Sequence, residues 1–166
     1  MKAKETDMLK QASRFWVAVI ASALIVSISS TARAQGNHVS RQQLKEQLTK
    51  TIAKVRTGES SNARTEAAEH LADLTRGIDP KLVDKGTIAD LASLLDVSED
   101  SVRGWVADCL GNLGPRAKMA VPKLLKILPE VECLNVSMSS DGDIRFALKR
   151  MGVTPPPPPK CGTTRD

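Results

Sequence analysis

Apolar residues recur along this 166-residue chain with the spacing of helix faces, and one short phrase returns three times. The phrase reads EAAEHLADL at 66–74, VADCLGNLG at 106–114 and IRFALKRMG at 144–152. Its central leucines, Leu71, Leu110 and Leu148, are 39 and 38 residues apart. A period near 40 is typical of a solenoid built from antiparallel helix pairs. The pattern therefore predicts an all-α fold, an α-solenoid of about three antiparallel helix pairs.

Six helices are predicted from the apolar stripes and from the residues that start and stop helices. They span about 43–56, 63–76, 88–95, 101–113, 118–128 and 143–151, with a further helical turn at 80–84. Thr87 is expected to cap the third helix, and Glu99 and Asp100 belong to a turn and cap before the fourth. Pro122 is tolerated in the first turn of the fifth helix, and Pro129 is expected to end it.

Two segments, 101–128 and 143–152, resemble HEAT-type repeats of the short bacterial kind. The motifs that carry the resemblance are Val102-Arg103, Ala107, Leu110-Gly111, Leu113-Gly114 and Val121-Pro122-x-Leu124-Leu125. Over 44–76 the match is looser, since Ala63-Arg64 stands where a Val-Arg pair would be. The resemblance implies a right-handed, HEAT-like stack over 43–152. In that family such stacks bind other macromolecules.

The first 34 residues have the organisation of a secretory signal peptide. Basic residues precede a 14-residue apolar run from Phe15 to Ile28, which is short for a bilayer span. Ala32-Arg33-Ala34 then offers small residues at the two positions that a signal peptidase reads. Cleavage is expected between Ala34 and Gln35.

A cleaved signal would place the protein in the periplasm or the medium, with a flexible start at 35–42. The alternative is an uncleaved anchor formed by residues 15–30, and only in that case is contact with a membrane expected.

The charge balance of the chain argues against nucleic acid as a partner. The chain has 24 Lys and Arg against 19 Asp and Glu, but residues 1–34 hold five and two of these. After residue 34 the chain has 19 Lys and Arg against 17 Asp and Glu, a slight excess of positive charge. Nucleic-acid binding calls for a clustered basic patch instead. After residue 34 the only aromatic residues are Trp105 and Phe146, so the core is expected to consist of Leu, Ile, Val and Ala.

A proline-rich tail, 153–166, follows the last predicted helix and contains five prolines at 155–159. Proline in series extends about 3.1 Å per residue, so the tail can run back along that helix to its start. Cys133 is expected at the same end, which predicts a Cys133–Cys161 disulfide in an oxidising compartment. The alternative is that the thiols are free and the tail is a spacer or a proline-rich ligand. Cys109 lies on an apolar stripe and is expected to be buried.

Motifs for catalysis are not evident. The sequence has no phosphate-binding glycine loop, no Gly-x-Ser-x-Gly nucleophile motif and no His or Cys pair at metal-ligand spacing. His38 and His70 are far apart, and His70 is interpreted as a solvated surface residue. The expectation is a protein that is not an enzyme, with no cofactor, no metal and no small-molecule substrate.

A partner-binding surface is expected on the solvent side of the second helix of each pair. Six positions align across the repeats and are called the ladder here: Glu69, Asp108 and Phe146 in one row, and Asp73, Asn112 and Arg150 in the other. The ladder changes from acidic to basic along the stack. Gly104 and Gly111 are expected to keep its middle shallow, and Trp105 to be wedged between repeats. The alternative for the ladder is an ordinary solvated face.

Two functions follow from these features. The first is an exported scaffold that binds an unidentified protein or peptide through the concave face of the stack. The second is a thiol-dependent envelope protein, in which Cys161 on its proline arm exchanges disulfides or tethers the molecule covalently.

Overall fold

The computed structural model describes residues 40–134 and 139–161, and over these residues the chain is helical with no strand. The all-α prediction is confirmed. The predicted signal peptide, its cleavage point at Ala34 and Gln35, and the flexible start up to residue 39 lie outside the described residues.

Six α-helices and three short 3-10 segments make up the described part of the chain. The helices are α1 (Arg41–Thr57), α2 (Ser61–Thr75), α3 (Lys85–Ser93), α4 (Asp100–Leu113), α5 (Val121–Glu132) and α6 (Asp141–Arg150). The 3-10 segments are Pro80–Leu82, Leu94–Asp96 and Gly114–Ala120. The helices match the predicted set in number and order, and the predicted turn at 80–84 appears as the first 3-10 segment.

Side-chain caps fix where the first three helices begin. Ser40 and Gln43 form a reciprocal capping box before α1, and Ser60 accepts a hydrogen bond from the backbone of Ala63 at the start of α2. Asp84 caps α3 by accepting from the backbone N–H of Thr87 at 2.9 Å. The prediction that Thr87 is the cap is therefore wrong: Thr87 lies inside the first turn, because a carboxylate three residues earlier takes its N–H.

The prediction that Pro129 ends the fifth helix is also wrong, since α5 continues to Glu132. Proline has no backbone N–H, so the helix loses one hydrogen bond, the one to the carbonyl four residues earlier. Pro129 is exposed and the helix ends within one further turn, so the loss is confined to the helix end. The last turn is kept because Val131 is fully buried in line with Leu124 and Leu128.

Neighbouring helices pack in a regular order. Each of the three hairpins, α1–α2, α3–α4 and α5–α6, brings its two helices into contact, and α2 packs on α4, which packs on α6. The central leucines of the repeated motif are all fully buried in these contacts: Leu71, Leu110 and Leu148. The repeating apolar phrase therefore marks the core-facing side of α2, α4 and α6.

Equivalent arginines close the turns before α2 and α4. Arg64 donates to the carbonyl of Gly58 at 2.7 Å, and Arg103 donates to the carbonyl of Val97 at 2.8 Å. The two arginines are 39 residues apart, and each reaches back six residues along the chain. The first two hairpins thus share a local contact as well as an apolar pattern.

Helices α4 and α6 approach each other closely because two glycines of α4 face α6. A Cβ atom at Gly104 would lie 2.8 Å from Oδ2 of Asp143, and one at Gly111 would lie 3.1 Å from Cα of Ala147. Both glycines are buried. The missing side chain of Gly111 lets the backbone of α6 come near.

The tail runs back along α6, as predicted. Gly152 takes a positive φ of 78° at the helix end, and Arg145 of α6 donates to the carbonyl of Pro156 at 2.8 Å. Cys133 and Cys161 lie at disulfide distance with their Cα atoms 5.3 Å apart, which confirms the predicted pairing. The described part of the tail thus covers one side of α6, and its Cys161 lies against the end of α5.

An ion pair lies beneath the tail, between Arg145 and Glu132. The side chain of Glu132 is only 6% exposed, and that of Arg145 is 22% exposed. A charge buried to this degree is costly unless it keeps its partner. The tail, which holds Arg145 through Pro156, and the ion pair therefore support each other.

We predict that Gly111→Val lowers the free energy of unfolding by about 2 kcal/mol or more, because the new side chain collides with the backbone at Ala147. Gly142→Ala is the matched control, since a Cβ there meets nothing within 4 Å. It should leave stability unchanged or raise it by up to about 1 kcal/mol. Urea unfolding followed by circular dichroism measures both, and equal effects of the two substitutions would contradict the close approach.

We predict that Cys161→Ser lowers the free energy of unfolding by about 3.5 kcal/mol, the chain-entropy value for a closed loop of this length. The loop joins cysteines 28 residues apart. Reductant should destabilise the wild-type protein by a similar amount and leave Cys161→Ser unaffected. Wild-type stability that does not respond to reductant would show that the pairing does not form in solution.

Candidate binding groove

The ladder residues lie on three helices that pack in succession. Glu69 and Asp73 belong to α2, Asp108 and Asn112 to α4, and Phe146 and Arg150 to α6. Asp108 and Asn112 are half-buried between their neighbours, and the other four are exposed. The six predicted positions therefore lie on helices that pack in succession.

One row of the ladder is linked by hydrogen bonds from helix to helix. Asn112 donates its side-chain amide to the carbonyl of Ala72 at 3.2 Å, and Arg150 donates to the amide oxygen of Asn112 at 2.9 Å. The guanidinium of Arg150 also lies 5.4 Å from the centre of the Phe146 ring. Arg150 is therefore held in place by two neighbours.

The acidic part of the ladder is bridged by Arg76, an arginine outside the six predicted positions. Arg76, at the end of α2, lies 3.0 Å from Asp73 and 3.8 Å from Asp108. Within residues 40–134 and 139–161, Glu69 has no ion-pair partner. The ladder therefore has a fixed part around Arg76 and Arg150, and Glu69 stands apart from it.

A groove opens between the first halves of α4 and α6, with a volume of about 470 Å³. Trp105 and Asp108 line it from α4, and Asp143 and Phe146 line it from α6. Gly104 also lines it, and its missing side chain leaves the room that the groove occupies. We call this site the Trp105–Phe146 groove.

The end of the groove is closed by a tertiary contact between the starts of the two helices. Asp100 of α4 accepts hydrogen bonds from the backbone N–H and the hydroxyl of Ser140, at 2.9 and 2.6 Å. Glu99 makes no capping bond and instead pairs with Arg64 of α2. The expectation that local caps explain Glu99 and Asp100 fully is wrong, because both carboxylates bind groups 35 or more residues away.

The groove is electrostatically negative. Burial raises the pKa of Asp143 above its ordinary value, and the charges of Asp108, Asp141 and Asp100 raise it further. Among the described residues, no lysine or arginine lines the groove. The carboxylates therefore repel one another, and among the described carboxylates that line the groove Asp108 is the one with a cationic partner, Arg76 at 3.8 Å.

The aromatic residues of the groove differ in exposure. Phe146 is 53% exposed, whereas Trp105 is half-buried and packs against the core. Trp105 was expected between repeats, and it does lie in the α4–α6 contact region with one side open to the groove. The two rings are the walls of the site.

The cysteines offer no free surface thiol. Cys109 is fully buried, and burial raises the pKa of its thiol to about 12. Cys133 and Cys161 are paired. A thiolate nucleophile is therefore not available near neutral pH.

The described residues hold neither a metal-binding cluster nor a membrane-spanning helix. Between residues 40 and 134 and between 139 and 161, no three His, Cys, Asp or Glu side chains are arranged to hold a metal ion. No helix of the described part is long and apolar enough to cross a bilayer.

Comparisons with protein-family models, with curated protein sequences and with solved structures found nothing that matches this chain. The resemblance to HEAT-type repeats thus remains a prediction from the motifs quoted above.

Asp143 and Asp100 are the groove residues that sequence reasoning missed. A usable signal was present: Trp105 and Asp108 are three residues apart on one helix, and so are Asp143 and Phe146 on the other. Residues three apart share a helix face. The sequence does not show which sides of α4 and α6 face each other, or how closely the two helices approach.

We predict that the Asp143 carboxyl titrates above its ordinary pKa of 3.8, and that Asp108→Asn lowers this pKa by removing a repelling charge. Because the native pKa is raised, the folded state holds this proton more tightly than the unfolded chain, so the contribution of Asp143 to stability worsens as pH rises through its native pKa. Carbon-13 NMR titration of the carboxyl measures both values. Asp90→Asn on α3 is the control, and an equal shift in both variants would contradict the described charge cluster.

Proposed function

We propose that this protein is an exported, non-enzymatic scaffold, a short HEAT-like α-solenoid that binds a protein or peptide across the ladder and the Trp105–Phe146 groove. One observation carries the proposal. Beyond residue 34 the chain has two aromatic residues, and both line the same surface groove although neither is fully buried.

The placement of Phe146 has an energetic cost for the isolated chain. A fully buried aromatic or aliphatic side chain stabilises a fold by about 1.5–3 kcal/mol, so a ring left half exposed forgoes roughly 1 kcal/mol. Aromatic and arginine side chains carry much of the binding energy at protein interfaces. A partner that covers Phe146 and Arg150 would recover what the fold forgoes.

The solenoid part of the proposal rests on repeated contacts. The second helices α2, α4 and α6 pack in succession, and Asn112 and Arg150 reach the preceding helix at sequence separations of 40 and 38 residues. Arg64 and Arg103 close equivalent turns. These features favour a stack in which each hairpin is buried by its neighbours.

Export is supported by two separate features. The apolar run at 15–28 and the Ala32-Arg33-Ala34 segment have the pattern of a signal peptide. The Cys133–Cys161 pairing suits an oxidising compartment. We therefore propose the periplasm or the medium as the location.

The thiol-dependent alternative has no observation in its favour. It requires an exposed, low-pKa Cys161, whereas Cys161 lies at disulfide distance from Cys133 and is tied to α6 through the tail. The binding scaffold is the function we put forward.

We predict that peptides selected for binding to the wild-type protein by phage display bind Phe146→Ala at least tenfold more weakly, because the substitution removes an exposed aromatic contact. Met119→Ala is the matched control, since Met119 is equally exposed, at 53%, and does not line the groove. Isothermal titration calorimetry gives the affinities, and circular dichroism shows that both variants are folded.

Two results would contradict the proposal. The first is a set of peptides that binds Phe146→Ala as tightly as the wild-type protein. The second is unfolding of Phe146→Ala, which would mean that Phe146 is a core residue and that the ladder is not a free surface.

A further inference from the structure

We propose that the Trp105–Phe146 groove binds a cationic side chain, a lysine or arginine presented by the partner polypeptide. This inference rests on the proposed function and names the chemistry of its partner. It depends on three features of the groove: its charge, its aromatic walls and its size.

Within the described residues, Asp108 is the one groove aspartate that has a cationic partner, Arg76. Asp100, Asp108 and Asp143 line the groove, and no lysine or arginine does. Asp100 accepts hydrogen bonds from Ser140, and Asp108 forms an ion pair with Arg76 at 3.8 Å. Asp143 makes no ion pair or hydrogen bond through its side chain within residues 40–134 and 139–161. A cation placed between Asp108 and Asp143 would therefore supply the counter-charge that Asp143 lacks.

The walls suit the same ligand. A cation within about 6 Å of an aromatic ring centre is attracted by the negative face of the ring. Phe146 already shows this contact on one side, where the guanidinium of Arg150 lies 5.4 Å from the ring centre. Trp105, the stronger ring for this purpose, has no such cation among the described residues. Its open side faces the groove and the carboxylates.

The size of the groove fits part of a polypeptide. Its volume of about 470 Å³ falls within the range of about 300–1,000 Å³ usual for sites of small molecules. A lysine or arginine stem is apolar and its end is charged, so the stem can lie along the rings while the charge reaches the carboxylates. An apolar ligand would leave the groove aspartates without a partner. A metal ion would need three converging ligands, which the described residues do not offer.

The raised pKa of Asp143 also supports a cationic ligand. Its pKa is raised by burial and by the neighbouring carboxylates, so the ionised cluster repels itself. A bound cation relieves that repulsion and also replaces water around the carboxylates. Binding should therefore weaken as salt screens the attraction.

The test uses two probes of similar shape and different charge, added to the full chain and followed by NMR. One is lysine blocked at both backbone ends by acetyl and methylamide groups, and the other is norleucine blocked in the same way. The signals are the Trp105 indole N–H, assigned with Trp105→Phe, and the Phe146 ring. We expect saturable shifts with the lysine probe and at least fivefold weaker binding of the norleucine probe.

Charge variants locate the effect. Asp143→Asn and Asp108→Asn should each weaken binding of the lysine probe at least threefold, whereas Asp90→Asn, an exposed aspartate on α3 away from the groove, should not. Circular dichroism of each variant shows that it is folded. Equal binding of the two probes, no shift with either, or no difference between the groove variants and Asp90→Asn would overturn the inference.

The outcomes for this inference and for the proposed function are separable. If the display peptides depend on Phe146 but contain no essential lysine or arginine, the scaffold function stands and the cationic ligand is wrong. If no peptide depends on Phe146 while the lysine probe still binds, the groove is a cation site and the scaffold function is wrong.

Discussion

The packing of α2, α4 and α6 on one another is the interaction on which the rest of this structure depends. A single helix pair cannot bury its apolar side alone, and in this chain Leu71, Leu110 and Leu148 are buried because each helix is covered by the next. Gly104 and Gly111 set the distance between α4 and α6. That distance also decides the site, since it leaves a groove with an aromatic ring on each side.

The last hairpin has no following hairpin among the described residues, and the tail takes part of that role. Cys161 brings the proline segment back to Cys133, and Arg145 joins the tail to the buried Glu132. Loss of the tail would remove the stabilisation that the disulfide gives through chain entropy. It would also weaken the Arg145–Glu132 ion pair, and an unpaired buried charge lowers stability.

Much of this fold was predictable from the spacing of apolar residues, and so were the surface positions of Phe146 and Arg150. The continuation of α5 through Pro129 was not, because a buried residue beyond it outweighs the local signal to stop. The groove was not predictable either. It depends on Asp100 holding Ser140 and on Gly111 admitting α6, and both are contacts between segments far apart in sequence.

We propose that the carboxylates of the α4–α6 groove hold a basic side chain of the partner. A double-mutant cycle tests this most directly, combining Asp143→Asn in the protein with replacement of the lysine by norleucine in a bound display peptide. We expect a coupling energy of about 1 kcal/mol, as for groups in contact. Additive effects, with each change weakening binding regardless of the other, would contradict it.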